Sequence, residues 1–183
     1  MRYERERKGM QNSRSLIAAM GPWIGSEVSS RRILILGESW YGGESDNLFD
    51  YLSGWCRRTK RDYFFSRVFN AASGFHTETA TDLQRAAFWN TVMFDNFVNF
   101  SVGQTRECRP NATHFKAAAG TFPERLEDLR PHVVWVLGKQ QAGYSVPVLE
   151  KANCLHFVVS PHPCGWGVST KSLKDAWNEV NAL

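Results

Sequence analysis

RILILGESWYGG, at residues 32–43, is the stretch that decides the fold. Its four consecutive apolar residues, Ile33 to Leu36, predict a strand that is buried on both faces. Gly, Glu and Ser follow at once, so we expect the strand to end there in an exposed turn. In open α/β sheets, ligands bind beyond the carboxyl ends of parallel strands. This rule places Glu38, Ser39 and Tyr41 where chemistry would be done, and a plain strand-to-helix turn is the alternative interpretation.

The composition is typical of one globular domain. The chain has 183 residues, of which 43% are hydrophobic, and this is enough to form a substantial core. No apolar run approaches the roughly 20 residues needed to span a bilayer, and the charged start lacks the apolar segment of a secretion signal. The four cysteines are scattered without C-x-x-C spacing, so we expect reduced thiols and no metal site. We therefore expect a cytoplasmic monomer that uses no cofactor and does not bind membranes.

The charge pattern is compatible with an anionic partner such as nucleic acid. The net charge is +4 and the isoelectric point is near 9.0. Basic residues cluster at 57–61 and again around Arg106 and Arg109, in segments that also carry aromatic residues. A solvated helix face would show the same charges, and this alternative stays open for either cluster alone.

Strands and helices alternate along the rest of the chain. Apolar runs predict further strands at 92–102, 132–138 and 154–159, and helical periodicity predicts helices at 13–20, 48–55, 62–72, 82–90, 115–129 and 169–180, with a further helix starting at Lys139. Gly120 and Pro123 are expected to break or bend the helix that contains them. This alternation predicts an α/β fold with three layers, in which helices cover both faces of a central, mainly parallel sheet of four strands.

Polar residues at the strand ends and within one strand are the candidates for binding. His162 lies between two prolines directly after the last predicted strand, so its imidazole is held at the same sheet edge as Glu38. A turn histidine that hydrogen-bonds locally is the alternative. Asn96 and Asn99 interrupt the second strand, and a buried amide left unpaired costs about 1–3 kcal/mol. Such an amide can read the edge of a nucleobase or can bridge to neighbouring backbone.

A serine hydrolase is a weaker alternative. Residues 37–41 differ by one residue from the G-x-S-x-G nucleophile elbow, and His162 follows later in the chain as a catalytic triad would require. However, Tyr41 replaces the last glycine of the elbow, and no H-G-G-G segment that could form an oxyanion hole precedes it. In this interpretation Ser39 would be the nucleophile.

Taken together, these motifs resemble the uracil-DNA glycosylase superfamily over most of the chain, from about Arg32 to Trp177. GESWY at 37–41 is similar to the first family motif, Gly-Gln-Asp-Pro-Tyr or Gly-Glu-Ala-Pro-Gly, and HPC at 162–164 is similar to the second, His-Pro-Ser. DNFV at 95–98 is similar to the strand Thr-Asn-Val-Val. CRP at 108–110 and residues 126–138 also resemble segments of the family. It implies a glycosylase-like domain at 31–183 after an N-terminal extension, residues 1–30, that is partly disordered or helical.

The resemblance implies a role for each matching residue. Glu38, Ser39 and His162 would be catalytic, with His162 supporting the departing base. The base would be bound by Gly37, Tyr41, Asn96 and Asn99, and the nucleic acid would be contacted by Arg109, Trp166 and Lys139. Such enzymes act on a base extruded from DNA or held in a single strand.

The chain also departs from the family pattern. Ser39 stands where the most active members have a water-activating Asp, Trp40 replaces the following Pro, and Cys164 replaces the Ser of the second motif. The cysteines needed for an iron–sulfur cluster have no counterparts. A catalytically inactive binding module of the same fold is therefore an alternative to a glycosylase.

Overall fold

The computed structural model describes residues 21–40, 48–103, 108–152 and 156–183. Within these ranges there are five strands, β1 Trp23–Ile24, β2 Ile33–Trp40, β3 Met93–Ser101, β4 Val133–Leu137 and β5 His156–Ser160. The same ranges contain six helices, α1 Leu48–Cys56, α2 Tyr63–Ala72, α3 Asp82–Asn90, α4 Ala112–Leu129, α5 Lys139–Lys151 and α6 Thr170–Ala182. The predicted helix at 13–20, Tyr41 and Arg106 lie outside the described residues.

The five strands form one mixed sheet in the order β1-β3-β2-β4-β5. All pairs are parallel except β1 with β3, which is antiparallel. The α/β class and the four parallel strands are confirmed, and β1 is an addition that the sequence analysis missed. It lies in the predicted N-terminal extension, and its two residues pair with Phe94 and Met93. A strand this short has no detectable alternation, and the indole of Trp23 holds it by donating to the carbonyl of Trp89 at 2.8 Å.

Helices cover both faces of the sheet because every second residue of the central strands points the same way. On β2, Ile33 and Ile35 belong to one apolar cluster and Leu34 and Leu36 to the other. The first cluster includes residues of α1, α2, α3 and α6, and the second includes residues of α4 and α5. None of the helices in the described ranges has the length and hydrophobicity needed to cross a membrane.

The helices begin where short polar side chains can cap them. Asp62 accepts a hydrogen bond from the N–H of Phe65 at 3.1 Å, and Thr81 and Ser169 cap α3 and α6 in the same way. Asn111 caps α4, so this helix begins before the predicted residue 115. Of the two effects expected of Gly120 and Pro123, the break is wrong, since the helix runs through Pro123 without interruption, and the bend stays a prediction.

Strand β2, which carries Glu38 and Ser39, is longer than predicted. β2 continues past its apolar run to Trp40, where the pairing with β3 shifts register after Ser39. Glu38 and Ser39 therefore lie on the strand itself, and Glu38 is only 2% exposed. The expected exposed turn at these residues is wrong, because β3 extends alongside and pairs with β2 as far as Trp40.

Candidate functional site

A cavity of about 670 Å³ opens at the carboxyl ends of the parallel strands. Polar residues from separate parts of the fold line it: Glu38 and Ser39 from β2, Asn96 from β3, Arg109 from the segment after β3, His162 and Cys164 from the segment after β5, and Arg61 and Asp62 from the segment before α2. Cavities of about 300–1,000 Å³ are the usual size for binding small organic ligands. The predicted residues Glu38, Ser39, Asn96, Arg109 and His162 thus line one space.

Glu38 is a buried carboxylate held by one cation. The Nη2 of Arg109 lies 2.5 Å from Oε1 of Glu38, and the side chain of Arg109 is half exposed. Burial raises the pKa of Glu38 above its usual value, and Arg109 opposes this rise through its charge and its hydrogen bond. A carboxyl group whose pKa is raised in this way holds a proton more readily than an exposed one, so it is suited to proton transfer or to holding a water molecule.

Asn96 presents its carboxamide to the cavity above a glycine. It pairs with Gly37 across β2 and β3, and a Cβ atom at Gly37 would lie 2.3 Å from Oδ1 of Asn96. Asn96 is 6% exposed, and its hydrogen bonds within the described residues all involve its backbone. The side chain therefore brings one acceptor and two donors to the cavity wall. Gly37 does not line the cavity, and its contribution is the space that it leaves for this amide.

His162 is a neutral histidine in the cavity wall. Burial and the charge of Arg109 lower the pKa of His162 to about 4, so the imidazole is uncharged at neutral pH. Its Nδ1 accepts a hydrogen bond from the N–H of Cys164 at 3.2 Å. Because an accepting ring nitrogen carries no proton, the proton of the neutral ring is on Nε2, which is then a donor. The ring centroid lies 5.6 Å from that of Phe64.

Ser39 lines the cavity with a buried hydroxyl. Its Oγ has no hydrogen-bond partner among the described residues, and the structure therefore provides no Ser39–His162 hydrogen bond within those ranges. A serine nucleophile needs such a bond to a base for activation. The hydroxyl is instead available to a molecule that enters the cavity.

Much of the remaining wall is aromatic and was not predicted. Tyr51, Tyr63, Phe64, Phe65 and Phe94 line the cavity, and they come from α1, α2 and β3. Tyr51, Phe64 and Phe65 belong to the helical periodicity that predicts the helices at 48–55 and 62–72. Apolar spacing on α2 marks residues that face the sheet, but it does not separate those in the core from those at a cavity.

Arg61 also lines the cavity, at the end of the basic run 57–61. The basic cluster in the sequence was the signal that could have found Arg61. Only the fold shows that Arg61, and not Arg58 or Lys60 of the same cluster, lines the cavity. Arg58 forms an ion pair with Asp82, and Lys60 lies over the ring of Tyr51.

Besides Gly37, three predicted residues within the described ranges are not part of the cavity lining. Asn99 is half-buried further along β3, Lys139 is the exposed first residue of α5, and Trp166 is fully exposed on the loop that also carries His162. Tyr41 lies outside the described residues. No group of three or more residues able to hold a metal ion occurs in the described part of the chain.

Comparison of the chain with known protein families found no match, and comparison with curated proteins found none either.

Proposed function

We propose that this protein binds a nucleobase, extruded from DNA or held in a single strand, and hydrolyses its N-glycosidic bond. The observation that supports this most is the cavity itself, in which a carboxylate, a carboxamide and a neutral imidazole share one space with aromatic rings. Planar, polar-edged ligands suit such a lining, because rings stack on the faces of the base while the amide bonds its edge. The helices on both faces of the mainly parallel sheet support the predicted three-layer arrangement.

Each polar group has a role in this proposal. The carboxamide of Asn96 bonds to the edge of the base, and the N–H of His162 donates to a base oxygen as the base departs with a negative charge. A donor placed at the developing anion stabilises the transition state without carrying a proton away. As the C–N bond breaks, its electron pair stays on the base. Glu38 holds the water that attacks the sugar carbon and accepts the proton that this water loses, and the base anion is protonated in turn. Ser39 bonds to the same water or to the sugar.

Phe64 supplies a stacking surface beside His162 in this proposal. The two rings are tilted by 40° and 5.6 Å apart, so a planar ligand in contact with Phe64 also lies near the imidazole. The unstacking of a base costs a few kcal/mol, and aromatic contacts together with backbone charge offset it. Arg109 and Trp166, outside the aromatic wall, contact the nucleic acid backbone and the neighbouring bases, and Lys139 adds positive charge.

A binding module without catalysis is a second candidate, and the Glu38–Arg109 contact favours it. Arg109, whose guanidinium lies 2.5 Å from Glu38, lowers the pKa of this carboxylate and so makes it a weaker base than it would be at the same buried position without the arginine. Ser39, in addition, cannot replace a water-activating Asp, since a hydroxyl has little basicity at neutral pH.

The experiment is the release of free base from oligonucleotides that contain uracil or hypoxanthine, single-stranded and duplex, detected by mass spectrometry. Release that is abolished by Glu38→Gln, and lowered about 10²–10³-fold by His162→Ala, supports the enzyme. His156→Ala is the matched control, because His156 is exposed at the opposite end of β5. Salt-dependent binding without release, weakened by Asn96→Ala, would support the module instead. If the protein neither releases nor binds a base, both candidates are overturned.

A further inference from the structure

A buried ion pair lies behind the cavity, on strand β3. The carboxylate of Asp95 is 1% exposed and is bonded by Nη1 of Arg125, a residue of α4 whose side chain is 13% exposed. Asp95 precedes Asn96, so the two side chains point to opposite faces of the sheet. The ion pair is therefore on the α4 side, and the carboxamide of Asn96 is on the cavity side.

Both members of the ion pair form hydrogen bonds with the backbone of Asn96. Oδ1 of Asp95 accepts a hydrogen bond from the N–H of Asn96 at 2.8 Å, and Arg125 donates to the carbonyl oxygen of Asn96 at 2.8 Å. Arg125 also donates to the carbonyl of Phe97 at 2.6 Å. β1 pairs only as far as Phe94, so at Asn96 these side chains take the place that a neighbouring strand would have. Both backbone polar groups of Asn96 are thus fixed by one charged pair.

A buried ion pair is not needed for stability alone. Replacing such a pair with packed apolar residues is often neutral or stabilising, because removing two charges from water is costly. Unlike an apolar contact, however, the planar guanidinium of an arginine forms several directional hydrogen bonds, and these fix the orientation of the groups that it binds. The carboxamide of Asn96 needs such a fixed backbone, since its Oδ1 lies directly against Gly37, where even one Cβ atom would come within 2.3 Å.

We propose that the Asp95–Arg125 pair is a positioning device that orients the carboxamide of Asn96 from the far side of the sheet, an inference that rests on the proposed function of Asn96 in binding a base. Arg125 touches no ligand. It acts through the backbone of Asn96, so that the amide meets the edge of the base at one fixed angle. Sites that read hydrogen-bonding groups need their residues held within about 10–20° of the productive geometry.

The test compares Arg125→Lys and Arg125→Met with the control Arg32→Met. Lysine keeps the charge but loses the fork, so it cannot serve the carboxylate and both carbonyls together. Arg32 also bonds a carbonyl of α4, that of Leu129 at 2.8 Å, but it precedes β2 at the opposite end of the sheet from the cavity. The thermal midpoint of each variant is measured first, so that only variants folded at the temperature of the experiment are compared.

The first measurement needs no ligand. The side-chain N–H₂ resonances of Asn96, assigned by their loss in Asn96→Ala, are expected to shift and broaden in both Arg125 variants and to stay unchanged in Arg32→Met. The second measurement is the dissociation constant for uracil and hypoxanthine, expected to rise about tenfold to a hundredfold in Arg125→Lys, as misplaced binding groups do.

Unchanged Asn96 resonances in the folded Arg125 variants would overturn the positioning role, whatever the ligand measurement gives. If the Asn96 resonances are altered in the Arg125 variants while the wild-type protein binds neither base, the positioning role stays in place and the result counts against the proposed function alone.

Discussion

Arg109 and Glu38, which are 71 residues apart in the sequence, meet in the cavity through a contact of 2.5 Å between Nη2 and Oε1. The carboxylate is almost fully buried, whereas half of the arginine side chain is in water. The pair therefore joins a strand end inside the fold to a residue at the cavity mouth. Because burial raises the pKa of Glu38 and Arg109 lowers it, the arginine sets how readily this carboxyl group takes up a proton.

Replacing Arg109 with alanine is expected to raise the pKa of Glu38 further, because only the effect of burial remains. Carbon-detected NMR titration of the Glu38 carboxyl group measures this shift. The raised pKa makes the folded variant relatively more stable at low pH, and that advantage is lost as the pH rises through the pKa of the folded state. The loss at pH 7 should be smaller than the value of about 3–5 kcal/mol for breaking a fully buried pair, because water reaches Arg109.

Arg61→Ala is the matched control for this titration. Arg61 lines the same cavity but is not among the groups that shift the pKa of Glu38. A Glu38 pKa that moves as far in Arg61→Ala as in Arg109→Ala would contradict the pairing.

His162 should make the protein sensitive to mild acid. Its pKa is about 4 in the folded protein against 6.5 for an ordinary histidine, so the unfolded chain binds a proton first as the pH falls. The stability due to the neutral ring is present above pH 6.5 and is lost toward pH 4, by roughly 3 kcal/mol from a shift of this size. Urea unfolding of wild type and His162→Gln between pH 7 and pH 4 measures the difference. A parallel loss in both proteins would disprove this origin.

Gly37 is expected to tolerate no side chain. In Gly37→Ala the new Cβ would overlap Oδ1 of Asn96, so the amide must move and binding of a base should weaken. Overpacking of this kind costs about 1–3 kcal/mol of folding free energy. Gly120→Ala is the control, because a Cβ at this exposed position of α4 meets nothing within 4 Å. It should stabilise the protein by about 0.5–1 kcal/mol in chemical unfolding.

Ser39→Ala separates folding from function. The hydroxyl is buried without a partner among the described residues, and its removal should leave the thermal midpoint unchanged or raise it. Loss of base release in a protein that is as stable as wild type would place the hydroxyl against the substrate. A marked drop of the midpoint would instead mean that Ser39 is bonded within the fold, and labelling of Ser39 by a phosphonate probe would favour the serine hydrolase.

Much of the fold could be predicted because its signals are local. The apolar run of β2 is uninterrupted, and the caps at Asp62 and Ser169 stand within three residues of the N–H groups that they bind. Helix α3 runs from Asp82 to Asn90 as predicted, since Thr81 and Gln84 cap each other's backbone. Capping hydrogen bonds over such short distances depend on neighbouring residues alone, and the apolar pattern that marks a strand or helix can likewise be seen in the local sequence.

The site was predicted as a set of residues, and only the tertiary structure decided how they meet. The sequence marked Glu38 and His162 by their positions at the ends of strands, and Asn96 as an amide that interrupts an apolar strand. It gave no sign that Arg109 binds Glu38 or that Arg125 bonds the backbone of Asn96, because side chains distant in sequence meet only through the order and register of the strands. Local chemistry fixed which elements form, and the packing of those elements fixed the charges, the acceptors and the shape of the cavity.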